Sequence, residues 1–483
     1  MKKIFKTIAA IGICAALCAP LAACGDGGND GGGTGDAWWT TTGELTFDEN
    51  NEVVFSNVEI NMSTVVNGED KGPLDQLVAQ FNAQYRDKIT VRVTNLTDTT
   101  FESTVANQIN NNSNAPDLIM SHQKGHKMFA DNRLIQPLDE AMEKSGITID
   151  LADYSAGLAQ YSSLGYKDMT FGVPIDAQSY GVYYNKELLA KYGGELPASW
   201  EELLALCKKA KEGEGSSFTP IAWNTSLNLF PNYVFSTAIL QNGGELYNTD
   251  TYYAEWASDP ENLAAFEAAI SCFRDLIYVN GYAQYGMSSS AALQAFRSDN
   301  CLFYFALPWN HNSIISDYAD NKGISVDEAM GTYVGGTSMA GWFARSENEG
   351  SQQIYVDSHF FAMSNTVTDI NKKAAILEFI RWFTQTESVG VAWAEAGHAS
   401  MYDPVSSSAA YLENKIVSGY ISEFYPDINE LACMGSTPYY AEIQGQLGSV
   451  FANTVGTASS AQDEARIKTG QDEINAVVDF ASM

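Results

Sequence analysis

The chain has 483 residues and a formal net charge of −32, because 59 acidic side chains outnumber 27 basic ones. A surface this acidic repels nucleic acid and anionic lipid head groups, and it argues against an anionic substrate. Hydrophobic residues make up 45% and aromatic residues 12% of the chain, which is enough to fill two cores and therefore predicts two domains.

Residues 1–23 have the layout of a secretory signal peptide. Three lysines precede an apolar run over residues 8–17, which is too short to cross a bilayer as a helix of the mature protein. The "LAAC" stretch that ends at Cys24 resembles the lipobox of bacterial lipoproteins, in which the cysteine takes a diacylglycerol and becomes the new N-terminus. Two acyl chains give stable anchoring. The alternative is an ordinary Ala-x-Ala cleavage site beside an incidental cysteine.

Glycine and acid dominate the stretch "GDGGNDGGGTGD" behind Cys24, a composition that behaves as flexible coil. We therefore expect residues 24–50 to form a lipid-anchored linker and an N-terminal extension, with a strand or hairpin in residues 37–50. No later stretch is apolar enough for a second anchor. The wide spacing of the remaining cysteines leaves buried thiols and a single bridge both open; these are Cys207, Cys272, Cys301 and Cys433.

Strands and helices alternate in the first part of the folded chain. A strand over residues 58–62 precedes "GPLDQLVAQFNAQY", whose apolar residues have helical spacing, and the alternating stretch "KITVRVTNL" predicts the next strand. A helix "FESTVANQIN" and a short buried strand "APDLIM" follow. Strand, helix, strand, helix, strand predicts a parallel α/β sheet.

Local signals mark the elements of the second part. A strand breaks at Pro174, resumes as "YGVYYN" and leads into a helix. Helix ends are indicated by a capping box at Ser199 and Glu202, by the glycine pair 243–244, and by a cap at Asp259. A helix and the strand "CLFYFALPW", a late strand "SHFFAMS", a helix pair and a helical tail complete a pattern of two α/β lobes.

The stretch "GVPIDAQSYGVYYNKELLAKYGGELPASWEELLALCKKA" resembles the solute-binding proteins of ABC importers, in the maltose-binding-like family 1. In that family a strand with a proline hinge leads into Tyr-Asn-Lys and then into Pro-x-Ser/Thr-Trp-Glu-Glu-Leu. Further pieces lie in family order over residues 57–410: "APDLIMSHQ", "DNRLIQPLDE", "QNGGELY", "AFRSDNCLFYFALPW" and "AEAGHASMYDPVSSS".

The resemblance implies an α/β, two-lobed, periplasmic-binding-protein-like (type II) fold with a hinge at Pro174 and a ligand cleft between the lobes. Lobe 1 is expected in residues 52–175 plus 358–397, and lobe 2 in residues 176–357 plus 398–483. Closure of the lobes around the ligand is the expected functional motion.

Two aromatic residues are the strongest candidates for contact with a sugar. Trp309 in "FALPWNHN" lies where the family places a cleft aromatic after its Gly-Pro-Trp turn, although Leu307 replaces the glycine. Tyr233, ten residues before the glycine pair, matches another family aromatic. Aromatic faces bury the C–H patches of a sugar, and the alternative for each residue is a place in the core.

Polar candidates lie at strand ends and at the lobe crossings, where open α/β folds bind ligands. Asp176 and Gln178 follow the hinge proline, and His359 begins the second crossing. The remaining candidates end the "PDLIM" strand or lie in the loop after the first strand: His122, Gln123, Asn67, Gly68, Glu69 and Asp70.

Catalysis and metal binding find little support in the sequence. His122 and His126 are four residues apart, but "HQKGH" contains Gly125 and lacks the glutamate of a zinc protease. "GTSMAG" fails as a nucleophile elbow at Ala340. We therefore expect no enzyme, no cofactor and no metal.

The sequence therefore predicts a monomeric, lipid-anchored receptor on the outer face of the cell membrane that delivers a carbohydrate, preferably an oligosaccharide, to an ABC permease. It touches the membrane only through its lipid and binds no nucleic acid. A receptor for glycerol 3-phosphate or a glycerophosphodiester is the nearest alternative, since "SGITIDLADYSAGLAQ" also resembles that branch. A glycan-active extracellular enzyme and a surface lipoprotein without transport are the others.

Overall fold

The computed structural model describes residues 37–346, 351–426, 431–433 and 437–481. The expected signal peptide, the lipid attachment at Cys24 and residues 24–36 of the expected linker lie outside these ranges. Within them, no helix combines the length and the apolar character needed to cross a bilayer.

The first of two large sheets has the strand order β2-β1-β3-β12-β4, and β5 pairs with β12. Strands β1, β2 and β3 are parallel, as the alternation of elements predicts, whereas β12 joins β3 antiparallel from far along the chain. The six strands are β1 Val58–Thr64, β2 Ile89–Asn95, β3 Leu118–His122, β4 Ile135–Gln136, β5 Val173–Pro174 and β12 His359–Ser364.

The second large sheet has the order β10-β7-β9-β8. Its strands are β7 Gly181–Asn185, β8 Ile221–Ala222, β9 Phe303–Ala306 and β10 Val334–Thr337. Aromatic side chains fill the core beside it: Trp223 and Trp342 are fully buried and pack edge-on against Phe305. Each sheet thus has its own apolar surroundings, and the molecule has two lobes.

Short strands lie where the chain crosses between the two sheets. β6 Asp176–Ala177 follows β5 directly and pairs antiparallel with β13 Ala399–Ser400, while Gln178 and Asp357 form an isolated bridge. β11 Ile354–Tyr355 and β14 Leu431–Ala432 pair in parallel nearby. Pro174 itself lies opposite Phe360 of β12.

Helices cover both sheets and form the C-terminal tail. In chain order they are α1 Lys71–Gln84, α2 Phe101–Asn110, α3 Gln123–Asp131, α4 Asp139–Ser145, α5 Ala156–Ala159, α6 Lys186–Tyr192, α7 Trp200–Glu214, α8 Ser236–Gln241, α9 Pro260–Arg274, α10 Ser289–Arg297, α11 His311–Lys322, α12 Val326–Glu328, α13 Ile370–Gln385, α14 Glu387–Glu395, α15 Asp403–Ser406, α16 Ala409–Leu412, α17 Ser422–Phe424, α18 Tyr440–Val455 and α19 Asp463–Ala481.

The predicted caps begin their helices. Ser199 Oγ accepts the backbone N–H of Glu202 at 3.3 Å at the start of α7. Asp259 Oδ1 accepts the N–H groups of Glu261 and Asn262 at 2.8 and 2.9 Å at the start of α9. These hydrogen bonds satisfy donors that have no partner inside the helix.

The N-terminal extension packs on the first sheet. Trp38 stacks on Phe171 and donates its indole N–H to the carbonyl of Ile135 at 3.0 Å. Farther along, Phe47 and Val53 form an isolated bridge, which is the expected hairpin in a minimal form. The extension is therefore fixed to lobe 1 through Trp38.

The four cysteines that the sequence left open are all free thiols. Three of them are fully buried, and Cys433 is partly exposed. Burial raises the pKa of the Cys207 and Cys301 thiols, which favours the neutral, unreactive form.

Candidate functional site

A cavity of about 150 Å³ lies between the two sheets, at the carboxyl ends of β1 and β3 and beside the crossing strands. Both lobes contribute to its wall. Its lining residues are Val65, Val66, Asn67, Gly68, Asp70, Asp98, His122, Lys124, Gln178, Leu229, Tyr233, Trp309 and His359.

Lobe 1 supplies the polar part of the wall from strand ends. Asn67 lies in the loop after β1, and its Nδ2 donates to the carbonyl of Val65 at 3.2 Å. His122 ends β3 and pairs in register with His359 at the start of β12, so that their rings stack with centroids 5.0 Å apart. Gln178 Nε2 lies 3.3 Å from Nδ1 of His122.

Lobe 2 supplies the aromatic part of the wall. Trp309 lies in a 3-10 turn, Pro308–Asn310, directly after β9. Tyr233 lies in a π-helical turn, Pro231–Phe235, that precedes α8, and its ring packs beside Tyr180 and Tyr355. The two side chains give the cavity an apolar face opposite the polar strand ends of lobe 1.

Asp70 places an unpaired carboxylate oxygen at this wall. Its Oδ2 lies 3.2 Å from Nε2 of His398, whereas its buried Oδ1 has no hydrogen-bond partner among the described residues. A Cβ built on Gly68 would lie 3.0 Å from that Oδ1 and 3.6 Å from Cδ1 of Trp309, so glycine at position 68 keeps this corner open. Burial opposes ionisation, but His398 outweighs it and lowers the pKa of Asp70.

Behind this wall a second carboxylate is buried in a cluster of aromatic N–H donors. Asp176 Oδ2 accepts the indole N–H of Trp393 at 2.8 Å and lies 2.8 Å from Nδ1 of His359 and 3.3 Å from Nδ1 of His398. Burial disfavours the charge of Asp176, but the charges of both histidines outweigh it and hold the pKa of this carboxyl well below its usual range. Burial likewise opposes a charge on His398, but Asp176 and then Asp70 raise its pKa to about 9.

A second charged cluster lies at the other end of the cavity. Lys124 Nζ contacts Asp357 Oδ2 at 2.6 Å, and His122 lies between Asp357 and Asp98, at 3.2 and 3.4 Å. Burial opposes charges on Lys124 and His122, but Asp357 outweighs it and raises the pKa of both. The hydrogen bond from His122 is the main reason that the pKa of Asp98 lies well below its usual range.

The structure brings most of the sequence-predicted residues to one cavity. Those that line it are Asn67, His122, Gln178, Tyr233, Trp309 and His359. Three others do not reach it. Asp176 is completely buried behind His359; Gln123 is buried at the first residue of α3, near Cys433; and Glu69 points to solvent.

Side-chain direction explains the three that lie outside the cavity. Asp176 and Gln178 are two residues apart and would share a face in a regular strand, but β6 ends at Ala177. Gln178 lines the cavity, whereas the carboxylate of Asp176 lies under β12 and accepts the backbone N–H of His359. At position 123 the chain turns from strand into helix, and in the loop before α1 it is Asp70, not Glu69, that turns inward.

Gly68 and Asp70, which the sequence also offers in the loop after the first strand, line the cavity as well. Three important residues were missed as candidates: Lys124, Asp357 and His398. Lys124 is adjacent in sequence to the predicted residue Gln123. Asp357 directly precedes the strand "SHFFAMS", so a charge before a crossing strand was a usable signal. His398 follows Gly397 in the quoted "AEAGHAS" piece, but nothing in the spacing of the sequence pairs it with Asp70 or Asp176.

The trio Asp176, His359 and His398 has the composition of a metal site, with all three donor atoms within 4.8 Å of one another. The donors do not fit a resident ion, because both oxygens of Asp176 already accept N–H groups, from the Trp393 indole and the His359 backbone. The imidazole of His398, whose pKa is raised to about 9, also supplies positive charge of the kind that a metal would bring. This is an ion-paired cluster, not an open set of ligands.

A groove of about 480 Å³ lies next to the cavity on lobe 2. The π-helical turn that gives Tyr233 to the cavity gives Pro231 and Asn232 to this groove, and the buried Oδ1 of Asn232 has no partner among the described residues. Its lining residues are all uncharged: Thr225, Ser226, Leu227, Asn228, Pro231, Asn232, Tyr285, Gln444, Gly445, Gly448, Ser449, Phe451 and Ala452.

Comparison with known proteins gives the chain relatives in sequence and in fold. Residues 67–389 match the family model described as bacterial extracellular solute-binding protein. The sn-glycerol-3-phosphate-binding periplasmic protein UgpB of Rhizobium meliloti is 28% identical over 183 residues, which are 36% of this chain and 40% of UgpB. The chain therefore matches well under half the length of this curated relative.

Two solved structures show the same fold at low identity. The GacH receptor of Streptomyces glaucescens, solved unliganded and with acarbose, has a TM-score of 0.65 at 17% identity, covering 87% of this chain and 98% of GacH. The sugar-binding protein MalE of Xanthomonas citri has a TM-score of 0.69 at 16% identity, covering 88% of this chain and 98% of MalE. The two-lobed type II architecture expected from the sequence is thereby confirmed.

Proposed function

The chain belongs to the family of bacterial extracellular solute-binding proteins, and we propose that it captures a carbohydrate in the cavity between its lobes and delivers it to the permease of an ABC importer. The observation that carries the proposal is the wall itself. Asp70, one of whose carboxylate oxygens is buried without a hydrogen-bond partner among the described residues, lines the same cavity of about 150 Å³ as the aromatic residues Trp309 and Tyr233.

The polar part of this wall suits the hydroxyl groups of a sugar, and the aromatic part suits its C–H face. A buried acceptor without a donor is costly, and a ligand hydroxyl that donates to Asp70 Oδ1 removes that cost. The C–H face of a pyranose ring buries apolar area against an aromatic face. The amide nitrogen of Asn67 already donates to the carbonyls of Val65 and Leu96, so its amide oxygen is the group that can accept a further hydroxyl, and Gln178 offers a second amide at the wall.

The charges at the cavity favour a neutral solute over glycerol phosphate, which UgpB binds by name. Two cations, Lys124 and His122, reach the cavity, and a phosphate would need them. Both are already paired with Asp357, and His122 also with Asp98. At the opposite corner, the carboxylate of Asp70 pairs with His398 through Oδ2 and has no partner for Oδ1 among the described residues, so a phosphate placed beside that oxygen would be repelled.

The dimensions favour an oligosaccharide that is only partly enclosed. Drug-sized ligands occupy cavities of roughly 300–1,000 Å³, so a cavity of about 150 Å³ encloses no more than a small solute or one sugar unit. The uncharged groove of about 480 Å³, to which the same π-helical turn contributes Pro231 and Asn232, would offer amides, hydroxyls and Tyr285 to further units.

A panel of solutes tests the proposal on the purified protein. Melting temperature is measured with glucose, maltose, maltotriose, glycerol 3-phosphate and a mixture of amino acids, because a solute that binds only the native state stabilises it by mass action. We expect a rise with one or more of the sugars and none with glycerol 3-phosphate. A rise with glycerol 3-phosphate alone would overturn the carbohydrate proposal.

The same panel distinguishes a receptor from an enzyme. A receptor returns its solute intact, so chromatography after long incubation should show unchanged maltotriose. Release of shorter sugars, abolished by Asp70→Asn, would instead support a glycan-active enzyme. The absence of any shift over a wide panel of sugars would support a surface lipoprotein without transport.

Lipid anchoring at Cys24 completes the proposal. Residues 1–23 would be removed and the protein, a monomer, would stay at the outer face of the cell membrane through the segment that follows Cys24. Trp38 packs on lobe 1, so this segment would join the anchor to that lobe. Cys24→Ser is expected to move the protein from the membrane fraction to the medium, and an unchanged distribution would contradict the anchor.

A further inference from the structure

His398 occupies the point where the ligand cavity meets the crossing strands. Its completely buried imidazole lies against Trp393, with ring centroids 4.2 Å apart and planes 7° from parallel. On the cavity side its ring is parallel to that of Trp309, at 6.3 Å. Its Nε2 makes a hydrogen bond with Oδ2 of Asp70 at 3.2 Å, and its Nδ1 lies 3.3 Å from Oδ2 of Asp176 in an ion-pair contact without hydrogen-bond geometry.

This residue contacts both walls of the cavity. Asp70 belongs to the loop before α1 in lobe 1, and Trp309 follows β9 in lobe 2. The backbone holds the contact, because a Cβ on Gly397 would lie 2.4 Å from the carbonyl carbon of Pro308. The loop that carries His398 therefore packs directly against the turn that carries Trp309.

The surroundings of the ring require a cation. Two carboxylates, Asp70 and Asp176, face its two nitrogens, and the ring of His359, centred 5.5 Å away, shares Asp176. The indole faces of Trp393 and Trp309 also favour a positive charge between them. These attractions outweigh burial and raise the pKa of His398 to about 9.

We propose that the charged form of His398 positions the solute site, so that binding requires a proton on this residue. The charge holds Asp70 with its Oδ1 toward the solute and keeps Trp309 packed beside it. Without the proton on His398, the buried carboxylates of Asp70 and Asp176 are separated by the width of one neutral imidazole ring. Their mutual repulsion then turns Asp70 away from the cavity. The inference rests on the proposed function, and it adds that the affinity for the solute depends on the protonation of His398.

Histidine NMR tests the charge without any solute. The ring resonances of the purified protein are followed from pH 6 to pH 10.5, and His398 is assigned with His398→Gln. We expect His398 to titrate about two pH units above the ordinary histidine value of about 6.5. Titration of His398 near that ordinary value would overturn the inference, whatever the protein binds.

Calorimetry tests the consequence for binding. The probe is whichever of glucose, maltose and maltotriose raises the melting temperature most, titrated at pH 7 and at pH 10. We expect the affinity of the wild type to fall at least tenfold at pH 10, and His398→Gln to be weak at both values. Equal affinity of the wild type at both pH values would overturn the inference and leave the proposed function intact.

His311→Gln is the matched control. His311 is buried to a similar degree at the start of α11, but burial lowers its pKa to about 4, so it is neutral at both pH values. Its variant should bind as the wild type does and keep the loss at pH 10. Failure of every sugar to bind the wild type would contradict the proposed function, and the NMR titration would still decide the state of His398.

Discussion

Asp70 presents one carboxylate oxygen to His398 and the other, without a partner, to the cavity. Asp70→Asn keeps the size of the side chain and removes its charge. We expect the affinity for the sugar probe to fall about tenfold, because hydrogen bonds to charged groups contribute about 1.5–3 kcal/mol, and the pKa of His398 to move toward its ordinary value. Calorimetry and histidine NMR measure the two effects, and unchanged values for both would contradict this role of Asp70.

Gly397 shows how the backbone holds the same site. Its φ is +102°, and a Cβ would lie 2.4 Å from backbone atoms of Pro308 and Trp309. Gly397→Ala should lower the free energy of unfolding by more than about 2 kcal/mol, because the strain of a left-handed alanine and the steric clash both destabilise the folded state. The same substitution should weaken sugar binding, because it displaces Trp309. Gly146→Ala is the control: φ there is +71° but nothing lies within 4 Å of the Cβ. Equal losses of stability in both would contradict the clash.

The sequence predicts the chain segments that reach the cavity more accurately than the individual side chains that line it. His122 and Trp309 lie at or just after strand ends and Gln178 and His359 lie at the crossings, which the order of elements places at one edge. Tyr233 reaches the same cavity from a helical turn. The choice of Asp70 over Glu69 depends on a loop conformation. The partners of His398 come from residues more than 200 positions away, and no local pattern encodes them.

Elements with local signals agree with the sequence most closely. The caps at Ser199 and Asp259 begin their helices, and the first three strands are parallel as predicted. The sequence does not predict that β12 enters the first sheet antiparallel beside β3. That pairing depends on contacts between residues 118–122 and 359–363, and it is what stacks His359 on His122.

Removing the N-terminal cap of α9 should change the stability of the protein but not its affinity for the sugar. Asp259 accepts two N–H groups of the first turn, so Asp259→Ala should cost about 1 kcal/mol of unfolding free energy. Because α9 lies outside the cavity wall, the affinity for the sugar probe should not change. Urea denaturation and calorimetry measure the two quantities. A loss of affinity without a loss of stability would contradict the separation of fold and site.

The stability of the whole molecule should depend on pH through its buried ion pairs. The pKa of His398 is about 9 in the folded state and is ordinary, about 6.5, in the unfolded chain. Its contribution is thus fully present below about pH 6.5 and is lost as pH rises through about 9, which predicts a decrease of about 2–3 kcal/mol by pH 10. Urea denaturation at pH 7 and pH 10 measures it, and a flat profile in the wild type would contradict the pairing.

In the whole molecule, lobe 2 supplies the aromatic part of the cavity wall and lobe 1 supplies most of the polar part. The proposed carbohydrate binding needs both parts. Calorimetry of the best sugar probe with the wild type, Trp309→Ala and Trp39→Ala tests this most directly, because Trp39 is a partly buried tryptophan in the N-terminal extension, outside the cavity wall. We predict that Trp309→Ala loses about 2 kcal/mol of binding, about 30-fold in affinity, while Trp39→Ala binds as the wild type. Unchanged binding by Trp309→Ala would contradict a carbohydrate site between the lobes.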